Sequence, residues 1–196
     1  MGLSRCDYEC YGTAFDSELL AEPRIDLEMA WSFLESIDPG GLFCLQTFDD
    51  SPRKRQALVK VLHAKLSDFL SVANTLAALN DSGAGIFFCV NQTDGQARRN
   101  ENITRLRAFF VDADGMPRPR TWHAPPDLVV WRDPVHWHAY WRLNGALPFG
   151  AFKYHQQRLA SFYRTDPSIC DLARVMRLPG FLHRKQHPVL VRYARG

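Results

Sequence analysis

The sequence predicts an α+β protein with a mixed or antiparallel sheet, flanking helices and a more helical N-terminal part. Helical patterns are interleaved with strand patterns, and most of the strand patterns are neighbours in sequence. No GxxxxGK(S/T) or GxGxxG motif is present, so the usual signatures of a P-loop and of a Rossmann site are missing. Apolar residues occupy 46% of the 196 positions, which is ample for a folded core.

The first 80 residues contain two helical patterns and one strand pattern. Asp26 is a suitable N-cap for a helix over Leu27–Ile37, which the segment Pro39-Gly40-Gly41 ends. The apolar run at residues 42–48 is typical of a strand. The dipeptide Ser51-Pro52 opens a longer pattern with apolar residues at i, i+3 and i+4. This pattern predicts a second helix that continues toward Leu79.

The rest of the chain alternates between strand patterns, a polar loop and a helix. The polar, glycine-containing stretch at 91–100 predicts a loop, and the amphipathic stretch at 149–163 predicts a helix. Strands are predicted at residues 85–90, 106–111, 128–131, 137–143 and 188–193.

No sequence feature places the protein in a membrane or outside the cell. No apolar run approaches the roughly 20 residues that span a bilayer. The N-terminal residues lack the apolar segment of a secretory signal. The five cysteines are odd in number and scattered, as is usual for reduced thiols. These observations predict a cytoplasmic protein without a membrane partner.

The strongest chemical signal is the stretch from Phe109 to Gly115, in which an apolar run ends in Asp112 and Asp114. Side chains alternate along a strand, so the two carboxylates point the same way, about 7 Å apart. They repel each other unless a positive charge lies between them, and Mg²⁺ or Mn²⁺ prefers such oxygen ligands. Asp-x-Asp-Gly is also common in turns, where the side chains bond their own backbone.

Cations surround this segment, although the net charge of the chain is only +3. Such clusters suit a polyanionic ligand held by its phosphates, while single arginines are more often a solvated surface. One group flanks the acidic pair and consists of Arg98, Arg99, Arg105, Arg107, Arg118 and Arg120. A second group near the C-terminus consists of Arg174, Arg177, Arg184 and Lys185.

The following strand pattern places two imidazoles on one face. Alternation puts His136, His138 and Tyr140 on one side and the aromatic residues Trp137 and Trp141 on the other. A single histidine is usually a satisfied polar residue. Two on one face favour contact with a ligand or a phosphate.

A third acidic position follows the predicted helix at 149–163. Asp166 stands in the segment Arg164-Thr165-Asp166-Pro167, and Asp171 lies five residues further on. Asp166 is also a suitable capping or turn residue before a proline. The two aspartates remain alternatives for a third carboxylate.

These motifs together resemble the catalytic core of archaeo-eukaryotic-type primases, the primase-polymerase superfamily, and specifically its plasmid and phage RepB-like branch. The paired acids match Asp112 and Asp114, the strand histidine matches His138, and the downstream acid is best matched by Asp166. The basic segment 177–185 looks like the element that follows in this branch. The resemblance covers roughly residues 83–185, and it departs at Asp133-Pro134-Val135, where the family often has a serine.

The resemblance implies a nucleotidyl transferase with two divalent ions and an RRM-like palm. Asp112, Asp114 and Asp166 would hold Mg²⁺ or Mn²⁺, and His138 would contact the incoming triphosphate. Other positions would add contacts to phosphates of the nucleotide or template: Arg177, Lys185, Asn91, Arg98 and Arg99.

The same resemblance implies the partners and the division of the chain. Residues 1–80 would form an accessory lobe packed on a catalytic core at 81–196, the two making one composite domain. The partners would be a single-stranded DNA template, nucleoside triphosphates, and a replicative helicase or a C-terminal helical domain. Preference for ribo- or deoxyribonucleotides and template sequence are left open.

Two other functions remain alternatives. His136-Trp137-His138 has the His-x-His form of rolling-circle nickases, in which Tyr154 or Tyr163 would be the nucleophile. A non-catalytic nucleic-acid-binding module would use exposed aromatic residues as stacking platforms. The candidates are Phe87, Phe109, Trp137 and Trp141, which are more typical of a core.

Overall fold

The computed structural model describes residues 22–196 and confirms the predicted α+β class. Every strand pairing in this part of the chain is antiparallel. The helices are α1 (Leu27–Ile37), α2 (Phe69–Asp81) and α3 (Phe149–Phe162). None of them is long and apolar enough to cross a membrane.

Two four-stranded sheets form the frame of the described residues. The first sheet has the order β2-β1-β3-β9 and the second has the order β12-β7-β8-β6. The first comprises β1 (Leu42–Asp49), β2 (Lys60–Lys65), β3 (Ala84–Cys89) and β9 (Val175–Arg177). The second comprises β6 (Ala108–Asp114), β7 (Leu128–Asp133), β8 (His136–Arg142) and β12 (Arg192–Arg195). Two short ladders pair β4 (Gln92–Thr93) with β5 (Ile103–Arg105), and β10 (Leu182–His183) with β11 (Val189–Leu190).

Helix α1 joins the two sheets in one core. It begins where the sequence predicted, because the Asp26 carboxylate accepts a hydrogen bond from the Met29 backbone N–H at 2.8 Å. Phe33 is fully buried and makes edge contacts with Phe88 of the first sheet and Tyr140 of the second. Aromatic pairs of this kind favour edge-to-face geometry. The helix therefore packs against both sheets through one buried side chain.

The prediction of one long helix from residue 51 was wrong. Residues 51–59 form a loop with one 3-10 turn, residues 60–65 form β2, and α2 begins only at Phe69. Strand β2 pairs with β1 from Leu42↔Lys65 to Thr47↔Lys60. This pairing is not visible in a local pattern, and the spacing of Leu58, Leu62 and Leu66 also suits a helix. Tertiary pairing overrides the helical periodicity here.

Two further boundaries differ from the predictions. The predicted strand at 188–193 is split into β11 and β12, which pair in different sheets. The predicted strand at 106–111 becomes β6, so that Asp112 and Asp114 lie within the strand rather than after it. The boundary at residue 80 between an accessory lobe and a core stays a prediction. Strands from both sides of it share the first sheet, and residues 1–21 lie outside the described part.

Strand β6 is an edge of the second sheet, and α3 covers it. The Gln156 side chain on α3 accepts a hydrogen bond from the Phe110 N–H and donates one to the Phe110 carbonyl. A buried amide therefore replaces the missing neighbour strand and satisfies the backbone. This contact fixes the strand that carries Asp112 and Asp114.

Candidate active site

A cleft of about 360 Å³ lies between the two sheets and collects most of the predicted site residues. Strands of the second sheet contribute what we call the acidic wall: Asp112, Asp114, His136 and His138. The first sheet and the segments next to it contribute what we call the basic wall: Asp50, Lys54, Arg177, His183 and Lys185. The cleft thus brings residues together from positions 50 to 185.

The register of β6 and β8 arranges the acidic wall as two neighbouring acid–imidazole pairs. Asp112 is opposite His138 and Asp114 is opposite His136. His138 Nε2 lies 3.3 Å from Asp112 Oδ1, and His136 Nε2 lies 2.8 Å from Asp114 Oδ1. The two aspartates share one face of β6, as predicted, the two histidines share one face of β8, and the register brings these two faces together. Directly opposite residues on one face of an antiparallel pair are close neighbours.

The two pairs differ in their surroundings. The Asp114 side chain is 86% exposed, whereas that of Asp112 is 33% exposed. Burial raises the pKa of Asp112, but the nearby His138 and the charges of Arg174 and Arg177 outweigh it and hold the pKa below its ordinary value. Asp112 is therefore ionised at neutral pH.

The carboxylate of Asp133 contacts the ring nitrogen of His136 that does not face Asp114. His136 Nδ1 lies 2.6 Å from Asp133 Oδ2, while its Nε2 faces Asp114. Burial raises the pKa of Asp133, but hydrogen bonds from the Val135 backbone and His136 together lower it by more. The pKa of Asp133 is therefore below its ordinary value. Asp133 lies at the turn between β7 and β8, so this short connection orients the imidazole.

The basic wall contains a buried ion pair. Arg177 donates two hydrogen bonds to Asp50, at 3.0 and 2.7 Å, and its guanidinium carbon lies 4.6 Å above the Phe87 ring. Asp50 also accepts a hydrogen bond from the Arg184 N–H at 3.0 Å. A Cβ at Gly85 would lie 2.5 Å from Arg177 Nη1. Only glycine leaves room for this pair.

Most cations of the C-terminal cluster are already paired. Arg174 binds Asp171 at 2.6 Å, and Arg184 binds Asp81 at 2.8 Å. Lys185 is exposed, lines the cleft and forms no ion pair with any residue in the range 22–196. Its charge is therefore available to a ligand.

The pKa of His183 is lowered by burial and by the cations around it. The residue is only 5% exposed, and burial together with Arg177, Arg132 and Lys185 lowers its pKa to about 4. The nearby Asp50 opposes this shift. The imidazole is therefore neutral at physiological pH, because burial and the three nearby cations all disfavour its charged form.

The two alternatives for the third carboxylate both lie outside the lining of the cleft. Asp166 accepts hydrogen bonds from the Ser168 N–H and hydroxyl, both at 2.8 Å, and these bonds lower its pKa. The charge of Asp112 raises the pKa of Asp166, but by less than the hydrogen bonds from Ser168 lower it. Asp171 is occupied by Arg174. The choice between the two aspartates stays a prediction.

Asn91 and Arg98 also lie outside the lining of the cleft. Asn91 is fully buried, accepts from the Arg107 N–H and donates to the Leu172 carbonyl at 2.9 Å. Arg98 donates to the Ala173 carbonyl at 3.0 Å. Both side chains therefore fix the backbone that leads into β9 and Arg177. The arginines that flank the acidic pair in sequence do not line the cleft either; Arg105 and Arg107 bind Asp38.

The acidic wall fits a Mg²⁺ or Mn²⁺ ion that is completed by its substrate. No three His, Cys, Asp or Glu side chains between residues 22 and 196 are placed to hold a metal by themselves. Mg²⁺, however, is commonly held by one or two carboxylates together with substrate phosphates and water. Asp112 and Asp114 supply two such oxygens on one face, and their ion-pair partners among residues 22–196 are both imidazoles.

Sequence reasoning missed five titratable residues that line the cleft: Asp49, Asp50, Lys54, Arg132 and His183. A signal existed for the first two of them. Asp49-Asp50 ends an apolar strand, in the same manner as Asp112 and Asp114 end theirs. Arg132 and His183 have no comparable local signature, because the pairing of distant segments brings them to the cleft.

Solved structures of primases share this fold. The AEP domain of a cyanophage S-2L primase-polymerase matches with a TM-score of 0.66 and 18% identity over 88% of this chain and 91% of that one. The primase RepB′ matches with a TM-score of 0.62 and 19% identity over 87% of this chain and 56% of that one. Its catalytic domain in complex with initiator DNA matches with a TM-score of 0.61, 19% identity and coverage of 87% and 84%.

At the level of sequence, no protein-family model and no curated protein matches this chain. The likeness is therefore one of fold, and it agrees with the resemblance carried by the motifs. The chain has the fold of an archaeo-eukaryotic-type primase catalytic core.

Proposed function

We propose that this protein is a DNA primase or primase-polymerase. It would transfer nucleotides from nucleoside triphosphates to a 3′-hydroxyl on single-stranded DNA, at the start of replication of a plasmid, phage or other mobile element. The observation that carries this proposal is the cleft itself. Two carboxylates on one face lie across from a wall that presents cations to the same space. This is the arrangement that a triphosphate and its divalent ions require.

Asp112 and Asp114 would hold Mg²⁺ or Mn²⁺, with Asp166 as the third ligand. Bound divalent ions would lower the pKa of the attacking 3′-hydroxyl and stabilise charge on the triphosphate and the leaving pyrophosphate. Asp112 is ionised at neutral pH and is therefore ready to ligate. Asp166 would have to exchange its hydrogen bonds with Ser168 for the metal.

The phosphates would be bound by His138, Arg177 and Lys185. His138 lies beside Asp112, so a phosphate that approaches the acidic wall meets its imidazole. Lys185 brings a charge that no carboxylate within residues 22–196 neutralises, while Arg177 is held in place by Asp50. Asn91 and Arg98 would act indirectly, by fixing the backbone that precedes Arg177.

The rolling-circle alternative is less well supported by the geometry. His136 and His138 both line the cleft, but Tyr154 and Tyr163 do not. Tyr163 stacks on Trp141, and Tyr154 is exposed on α3 beside Arg158. A nucleophile must lie within reach of the activated phosphate, and neither tyrosine does. Of the proposed stacking residues, Trp137 is buried in the core.

A priming assay tests the proposal directly. The protein is incubated with a single-stranded template, Mg²⁺ or Mn²⁺, and either ribo- or deoxyribonucleoside triphosphates, and the products are separated on a gel. We expect products whose composition follows the template. A covalent protein–DNA adduct without nucleotide incorporation would instead favour nicking. Binding of DNA without either product would favour the non-catalytic module.

The expected partners follow from the same proposal. They are single-stranded DNA, nucleoside triphosphates, and a replicative helicase or a C-terminal helical domain. One of the solved RepB′ structures is a complex with initiator DNA, which supports the choice of DNA as the template. Adding a helicase to the priming assay would test the last of these.

A further inference from the structure

The loop after β1 contains three consecutive basic residues, Arg53, Lys54 and Arg55, and of these three Lys54 alone lines the cleft. Its shape depends on Asp49, the last residue of β1, whose side chain is fully buried. Asp49 accepts five hydrogen bonds, all from this loop: from the N–H and hydroxyl of Ser51, and from the N–H, Nε and Nη2 of Arg55. These hydrogen bonds therefore hold the loop in a defined conformation.

These five hydrogen bonds, which we call the Asp49 clamp, include an ion pair in which Asp49 and Arg55 neutralise each other. The hydrogen bonds from Arg55 hold the pKa of Asp49 far below its ordinary value, so the carboxylate stays ionised and bound to the guanidinium. The charge of the neighbouring Asp50 is likewise neutralised by its ion pair with Arg177. Neither carboxylate is left to neutralise the remaining cations of the loop.

Lys54 occupies the strained position of this loop. Its φ of +50° lies in the left-handed region, which glycine and asparagine adopt more easily than lysine. Its side chain lines the cleft, together with Asp112 and Asp114 of the opposite wall. Its ammonium group lies 3.3 Å from the Asp49 backbone carbonyl and forms no ion pair with any residue of the described chain.

Strain of this kind is retained where the side chain has a use. A glycine would satisfy the turn, so the backbone alone gives no reason for a lysine here. The conformation directs a primary ammonium group, a compact charge suited to phosphate, to the edge of the cleft. Arg53, one residue away and also exposed, does not line the cleft.

We propose that Lys54 is a phosphate-binding residue of the cleft, held there by the Asp49 clamp. Its ligand is a phosphate group of the nucleoside triphosphate or of the DNA strand. The inference rests on the proposed function for the identity of that ligand. It adds a phosphate contact from the N-terminal part of the chain, across the cleft from Asp112 and Asp114.

The test compares four variants by fluorescence anisotropy. Lys54→Gln removes the charge, Lys54→Arg keeps it, Lys54→Gly removes both the charge and the backbone strain, and Arg53→Gln removes the neighbouring charge. Each is titrated with a labelled single-stranded oligodeoxynucleotide and, separately, with a labelled nucleoside triphosphate in the presence of Mg²⁺. Thermal unfolding of each variant is measured in parallel, with Arg164→Gly as a second strain-relieving control outside the cleft. Arg164 also has a positive φ, of +58°.

We expect Lys54→Gln to weaken binding of one of the two ligands by about tenfold, the size of one charge-assisted hydrogen bond. Lys54→Arg should retain most of the affinity, and Arg53→Gln should bind like the wild type. If the oligonucleotide is the ligand affected, the slope of log affinity against log salt should become shallower by about 0.7. The affected ligand identifies the source of the phosphate.

Lys54→Gly gives the sharpest signature, because it should melt at a higher temperature and yet bind more weakly. Arg164→Gly should also melt at a higher temperature. Unchanged affinity of Lys54→Gln and Lys54→Gly for both ligands would overturn the inference while leaving the proposed function intact. Equal losses in Lys54→Gln and Arg53→Gln would overturn it as well. A wild-type protein that binds neither ligand would overturn the proposed function together with this inference.

Discussion

The two walls of the cleft hold their charges in opposite ways. On the acidic wall, Asp114 is 86% exposed and its ion-pair partner is a histidine. On the basic wall, the side chains of Asp50 and Arg177 are 3% and 13% exposed and neutralise each other. Charges that face solvent can change partners when a ligand arrives, whereas a buried pair is part of the folded structure. Substitutions on the acidic wall should therefore cost activity, and those in the buried pair should cost stability.

The largest expected effect is on the acidic wall. Asp114→Asn should reduce nucleotide incorporation by a factor on the order of 10⁴, because it removes one ligand charge from the metal site. The melting temperature should stay the same or rise, since repulsion between Asp112 and Asp114 is relieved. Incorporation is followed on a primed template under single-turnover conditions. The control is Glu101→Gln, an equally charged change at an exposed residue outside the cleft.

The buried Asp50–Arg177 pair of the basic wall should behave in the opposite way. Asp50→Ala leaves Arg177 buried without its partner, and this should lower the free energy of unfolding by about 3 kcal/mol. Asp81→Ala removes the exposed partner of Arg184 and should cost at most about 1 kcal/mol. Urea unfolding of the two variants measures the difference. Equal losses would mean that the Asp50–Arg177 pair is no more structural than a surface ion pair.

Acid should destabilise the protein through His183. Its pKa is about 4 in the folded protein and about 6.5 in an unfolded chain, so the unfolded state binds more protons between these values. Stability contributed by the neutral imidazole is therefore lost as the pH falls through that window, by about 2 kcal/mol between pH 7.5 and pH 5. His183→Gln should flatten this dependence, and the exposed His123→Gln should not. Urea unfolding at a series of pH values measures the free energy of unfolding of the wild type and the two variants. An identical dependence on pH in all three proteins would contradict the assignment of a lowered pKa to His183.

The smallest expected effect separates the two histidines of the acidic wall. His138→Gln should raise the KM for the nucleoside triphosphate about tenfold, because one charge-assisted contact is lost. His136→Gln should leave this KM nearly unchanged. Steady-state kinetics with varied nucleotide measures both. Equal collapse of both variants, together with collapse of Tyr154→Phe or Tyr163→Phe, would favour the nickase chemistry.

Local signals account for what could be predicted from the sequence. The N-cap Asp26 and the Pro39-Gly40-Gly41 stop define α1 within a few residues of chain, and the structure confirms both ends. Alternation along a strand was sufficient to place Asp112 and Asp114 on one face. It was not sufficient to predict that this face is opposite His138 and His136, because the register of β6 and β8 depends on the whole sheet.

Features that depend on distant pairing were not predictable. Asp50 and Arg177 are separated by 127 positions, and no local pattern connects them. Strand β2 lies within the helix that the sequence predicts, because residues Lys60–Lys65 show no clear alternation of apolar and polar side chains. Asn91 looked like a loop residue open to a ligand, but the fold uses its side chain to satisfy backbone groups of Arg107 and Leu172. Polar residues in loops often have this role.

The most direct test of the proposed division between the walls is Mn²⁺ binding measured by electron paramagnetic resonance. The wild type, Asp112→Asn/Asp114→Asn and Lys185→Gln are titrated with Mn²⁺ in the presence and absence of a nucleoside triphosphate. If the acidic wall holds the ion, the double variant should lose Mn²⁺ binding that depends on the protein, with or without nucleotide. Lys185→Gln should keep the nucleotide-free binding and lose affinity only when the triphosphate is present. Wild-type Mn²⁺ binding that survives in the double variant would contradict the assignment of the metal to Asp112 and Asp114.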